Sequence, residues 1–119
     1  MTVFIPEADR LLAAATDYLE HELLPTLTGY HGFQTRVCVN VLRIVMRELQ
    51  QREPLEQAEH ARLRQLLGHE GKLDALNAQL ADGISSGELP LDTPGLAEHL
   101  RLTLADALRI NNPKWVQAQ

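Results

Sequence analysis

The sequence predicts an all-α fold, a compact bundle of about five helices whose second helix, about residues 33–52, is central. Three observations predict it. Leu (22) and Ala (13) supply 35 of the 119 residues and aromatics only 4%, which suits helices better than strands rich in β-branched and aromatic residues. Pro and Gly divide the chain into segments of helical length, and apolar residues recur within them at three- and four-residue spacing. A chain of 119 residues fits one domain and one core, so 1–119 is taken as a single helical domain with 110–119 as its tail.

The first segment runs from about Pro6 to Leu24. Pro6 suits a first helical position, Glu7 and Asp9 suit the positive end of the dipole, and Pro25 stops the helix. Its apolar face is Ala8, Leu11, Leu12, Ala15, Tyr18, Leu19 and Leu23. A loop, Thr26 to Gly32, leads into the second segment. There Phe33, Val37, Cys38, Val39, Val41, Leu42, Ile44, Val45, Met46 and Leu49 cover an arc of roughly 240° at helical spacing. A surface helix needs only about 100° of apolar stripe, which is why this one is placed at the centre.

Pro54 is expected to open a third helix, closed by Gly68, with a weaker face of Leu55, Leu63, Leu66 and Leu67. The fourth, about Lys72 to Ser85, carries Leu73, Leu76, Leu80 and Ile84, with Gly87 just past its end. In the fifth, Thr93 is the expected N-cap before Pro94, and Leu96, Leu100, Leu104, Ala107 and Leu108 form the inner face. Asn111-Asn112-Pro113 ends it, and Trp115 in the tail is expected to fold back onto the bundle.

The net charge of −5 works against nucleic-acid binding, which relies on clustered Lys and Arg. A hydrophobic fraction of 45% with 23% charged residues argues against disorder and against a membrane span. Cys38, the lone cysteine, lies in an apolar run and is expected to be a small buried hydrophobe in a reducing compartment. The first ten residues show no basic stretch followed by an apolar core, so no signal peptide is predicted and the cytoplasm is the default.

A polar window interrupts the apolar arc of the second helix. Arg36, Asn40, Arg43 and Arg47 fall within roughly 60° of one another. Planar guanidinium forks on one line would grip a phosphate, a carboxylate or an acidic partner; equally, a mostly buried helix needs one solvated edge, or Arg36 or Arg47 pairs with acids of the first helix. Asn77, inside the leucine stripe of the fourth helix, needs partners if buried, and Asn40 or Arg36 would serve; it is either a structural tie or a ligand contact. The loop Gly29-Tyr30-His31-Gly32 sits before a helix N-terminus, where Tyr30 and His31 would help Arg36 hold an anion.

The five histidines are scattered, without H-E-x-x-H or Glu-x-x-His, so no metal set and no cofactor is predicted. No nucleophile motif appears either. Catalysis has no support in the sequence.

The segment Phe33-Gln-Thr-Arg36-Val37-Cys-Val-Asn40, then Arg47-Glu48-Leu49, Leu76-Asn77-x-x-Leu80, Gly87-Glu88, Leu96-x-x-His99-Leu100 and Asn112-Pro113, together resemble an uncharacterised bacterial family. Its members are small all-helical domains of unknown function, found beside or fused to aminoglycoside-phosphotransferase-like kinases and acyl-CoA dehydrogenases. Gln34, where many members have His, and Asp106, near a usual Lys, depart from the pattern. The resemblance implies context rather than chemistry, and it includes Arg36, Asn40 and Asn77.

The leading expectation is therefore an accessory or protein-interaction domain, more an interaction module than an enzyme. It would self-associate, as a homodimer or larger homo-oligomer, and serve a kinase-like or acyl-CoA-handling protein partner. The alternative is a small-molecule-binding domain that holds an anionic group, a CoA phosphate or a carboxylate, on the arginine stripe. Neither nucleic acid nor membrane is expected as a partner.

Overall fold

The structure, a computed structural model, describes residues 7–117, and no strand occurs among them. Five α-helices follow in order: α1 (Ala8–Tyr18), α2 (Gly29–Leu67), α3 (Leu73–Ser86), α4 (Leu96–Asn111) and α5 (Pro113–Gln117). The all-α class is as the sequence predicts. The chain forms two compact units that divide between Arg52 and Glu53, and α2, the longest helix, contributes to both.

In the first unit, α1 starts after Glu7, with Asp9 in its first turn where the dipole favours an acid. The expected opening at Pro6 lies outside the described residues. Pro25 cannot donate an N–H to the helical ladder, and the helix gives way before it through a π turn, Leu19–Leu23, and a 3-10 turn, Leu24–Thr26. The chain then reverses into α2. Gly32 is buried, and a Cβ there would lie 3.2 Å from the Leu27 carbonyl oxygen, so the close return of Leu27 favours a glycine. The first unit is thus an antiparallel helix pair. Gln50 Nε2 donates to Asp9 at 3.3 Å near one end, and Arg43 reaches the acids Asp17 and Glu20 further along.

The sequence misplaces the face of α1. Leu11 and Tyr18, assigned to the apolar side, are exposed, while Thr16 is fully buried. The Thr16 hydroxyl satisfies itself by donating to the Leu12 carbonyl at 2.6 Å and lies 3.9 Å from the Met46 sulfur. A threonine that bonds its own preceding turn behaves as a small apolar residue toward its neighbours.

In the second unit, Leu63 of α2, Leu76 and Leu80 of α3 and Leu96 of α4 form the buried core, with Leu66, Leu67, Leu73, Ile84 and Leu89 packed on it. Gly87 ends α3 at φ +83, a left-handed conformation that side chains resist. The chain then folds Leu89 back, so that its N–H donates to the Gly83 carbonyl at 2.9 Å.

Several expected boundaries change. Pro54 does not open a third helix; it lies inside α2, which continues to Leu67. Contacts on either side hold the helix through the proline, Asp9 to Gln50 before it and the buried Leu63 after it, and tertiary packing outweighs a local breaker. Tyr30, His31 and Gly32 belong to the first turn of α2 rather than to a loop. The N-cap of α4 is Gly95, and Thr93 instead donates its hydroxyl to the Pro90 carbonyl at 2.6 Å. The inner face of α4 is also rotated: Leu96 and His99 are buried, whereas Leu100 and Leu104 are exposed. Trp115, in α5, is 65% exposed rather than folded back.

Leu63 is 0% exposed at the centre of the second core. Leu63→Ala is expected to lower unfolding free energy by about 2–5 kcal/mol, measured by urea denaturation.

Candidate functional site

Two places concentrate polar chemistry, one in each unit. In the first, Arg36 and Asn40 are exposed and Arg43 and Arg47 half-buried along α2. Arg43 is committed: its Nη2 donates to Glu20 Oε1 at 2.5 Å and lies 3.5 Å from Asp17 Oδ1. The Glu20 hydrogen bond raises the Arg43 pKa further above its ordinary value, against the opposing effect of burial, with the charges of Glu20 and Asp17 and the Asp17 bond adding to the rise. Arg43 thus pairs with Asp17 of α1 and Glu20 of the π turn, the kind of pairing with the first helical segment that was expected of Arg36 or Arg47. Arg47 also has a partner.

The remaining candidates separate. Tyr30 and His31 are exposed, their rings in an edge contact at 5.4 Å between centroids. Asn77 belongs to the second unit, where its Nδ2 donates to Glu59 Oε1 at 3.3 Å; its expected partners were Asn40 or Arg36. Cys38 is exposed, not buried. It lies on a side of α2 that stays exposed even though this helix is the central one, as expected, with a part in both units. At about 100° per residue, Val39 and Met46 mark the side of α2 that meets α1, while Phe33, Val37, Val41, Val45 and Leu49 run along the opposite side. Phe33 is 58%, Val41 52% and Leu49 52% exposed. The wide apolar arc is real, but α1 covers only part of it.

The second place escaped the sequence reading. In the second unit a concavity of about 440 Å³ lies between α2, which supplies Arg62, Gln65 and Leu66, and the start of α4, which supplies Pro94, Gly95, Glu98 and His99. His99 is 2% exposed. Its Nδ1 accepts a hydrogen bond from Arg62 Nε–H at 3.0 Å, and Arg62 Nη2 donates to Thr103 Oγ1 at 3.2 Å. Because Arg62 is always a donor, Nδ1 carries no proton and the ring proton of neutral His99 sits on Nε2. Burial and the adjacent Arg62 charge hold the His99 pKa below its ordinary 6.5, while Glu59 opposes them.

At the rim, Glu98 accepts from Arg101 Nε at 2.9 Å and Nη2 at 2.6 Å. These bonds pull its carboxyl below the ordinary 4.5, with burial opposing and the charges of Arg101 and Arg62 assisting. The signal for this cluster was present: His99 stands three residues after Leu96, and Arg62 adjoins Leu63. Neither residue belongs to an apolar stripe or a metal-ligand spacing, so periodicity and motif do not pick them out.

Among the described residues, no group of three or more His, Cys, Asp or Glu is arranged to hold a metal, and no helix is long and apolar enough to cross a membrane. The geometry defines an all-helical chain of two compact units, with an exposed apolar helix face in the first and a polar concavity in the second. The chain belongs to the family described as a domain of unknown function, DUF6285, whose model matches residues 25–115. No curated protein and no solved structure matches it.

Since the folded-state His99 pKa is lowered, the unfolded chain takes up protons first as pH falls. The stability that neutral His99 contributes is complete above the unfolded value of 6.5 and declines as pH drops through 6.5 toward the folded value. Urea unfolding at stepped pH is expected to show a steeper acid-side loss for the natural chain than for His99→Gln.

Proposed function

We propose that this chain is a protein-interaction domain that pairs with a second copy through the uncovered side of α2. The observation that carries this reading is the exposed row Phe33, Val37, Val41, Val45 and Leu49. Such a row is an i±4 ridge, the kind that packs into the grooves of another helix. Contiguous exposed apolar surface of this sort marks an interaction site.

The row favours a copy of itself as occupant. It is symmetric about Val41, so antiparallel pairing sets Phe33 against Leu49 and Val37 against Val45, as a two-fold interface requires. The same register brings Gln34 opposite Glu48, a donor against an acceptor. Arg36, Arg43 and Arg47 lie about 120–160° around the helix from the centre of the row, clear of the contact. The paired chains would serve a kinase-like or acyl-CoA-handling protein, the context that the family resemblance implies.

A second reading places an anion on the arginine row. Arg36 and Asn40 are exposed for it, while Arg43 is already neutralised by Glu20.

Sedimentation equilibrium from micromolar to millimolar chain is expected to show a reversible dimer. Val41→Asp abolishes it with the circular dichroism unchanged, and Leu91→Asp, at an exposed position of the second unit, leaves it intact. A monomer throughout that range overturns the reading.

A further inference from the structure

The concavity of the second unit is built for an anion with an apolar tail. We propose that it binds a small organic carboxylate, its head held by Arg62, His99 and the first turn of α4 and its tail laid on Leu66 and Pro94.

Three sets of hydrogen-bond donors converge there. Arg62 spends its Nε–H on His99 and an Nη2 hydrogen on Thr103, which leaves guanidinium hydrogens for a ligand on the cavity wall. His99 is 98% removed from solvent, lines the cavity, and offers a single N–H, at Nε2, since Nδ1 accepts from Arg62; Nε2 makes no hydrogen bond among the described residues. Nε2 is not among the side-chain atoms sealed from solvent without a partner, so this donor is open to an acceptor that enters the cavity.

Third, α4 opens on Gly95, which lines the cavity and brings no side-chain cap. The free N–H groups and positive dipole end of a sixteen-residue helix are available. The one acid on the wall, Glu98, is exposed and neutralised by the two hydrogen bonds from Arg101. A volume of about 440 Å³ is on the scale of small-molecule sites. Leu66 and Pro94 give the tail an apolar wall, which predicts preference for a short alkyl chain over the bare head group.

This inference is independent of the pairing proposed through α2, and its test does not depend on oligomeric state. Titration of the labelled full chain with hexanoate, followed by ¹H–¹⁵N spectra that include the histidine rings, is expected to shift His99 Nε2 and the Ala97 and Glu98 amides together. Acetate binds more weakly than hexanoate, and hexylamine causes none of these shifts. Arg62→Met removes a hydrogen bond from a buried histidine and risks the fold, so Glu98→Gln, at an exposed position, is the second variant. Loss of a negative charge at the rim is expected to tighten hexanoate binding about threefold. The proposal is overturned if hexanoate near saturation leaves His99 and the α4 amides unmoved. It is equally overturned if inorganic phosphate binds as tightly as hexanoate, or if Glu98→Gln weakens binding.

Discussion

The second unit depends on one hydrogen bond, from Arg62 Nε–H to His99 Nδ1. A buried imidazole with an unmet acceptor would cost about 1–3 kcal/mol, and a guanidinium tucked against a helix needs donors satisfied on that side. Each residue meets the other's requirement, and Thr103 takes a further guanidinium hydrogen. That exchange lets α4 turn a histidine inward beside Leu96 and keeps the cavity between α2 and α4 lined by charge rather than closed by leucines.

Polarity on an inner face explains where sequence reasoning succeeded and failed. The helix now called α3 was legible almost to the residue, because a regular leucine stripe ends at a glycine that takes φ +83. The polar window of α2 was legible as polar. Which of its arginines meets an acid depends on how α1 lies against it, and periodicity does not encode that; Glu20 and Asp17 take Arg43. In α1 and α4 an apolar periodicity selects faces that miss the buried side, since it leaves out the polar Thr16 and His99 that pack inward. Thr16 satisfies its hydroxyl locally, and His99 Nδ1 and the Thr103 hydroxyl are met by Arg62, which lets such residues enter a helix's inner face. Pro54 failed as a stop signal because packing on both sides of it outweighs its local cost.

The two units use α2 differently. In the first, the helix is apolar around most of its circumference, α1 covers one side, and a row from Phe33 to Leu49 remains in solvent. In the second, α2 has Leu63 enclosed and supplies Arg62 to the polar pocket. The same helix thus shows an exposed apolar row in its first half and lines a polar concavity in its second. The match to the unknown-function family begins at residue 25, so it takes in all of α2 and leaves α1 outside.

Pro54 lies one residue beyond the division between the units. Without an amide hydrogen it cannot close the α-helical rung onto the carbonyl of Gln50. The hydrogen-bond ladder of α2 is therefore interrupted beside the seam, and fraying that starts in one half meets a missing link there. Amide exchange in the two halves would then proceed with separate opening energies, giving a single helix two thermodynamic identities.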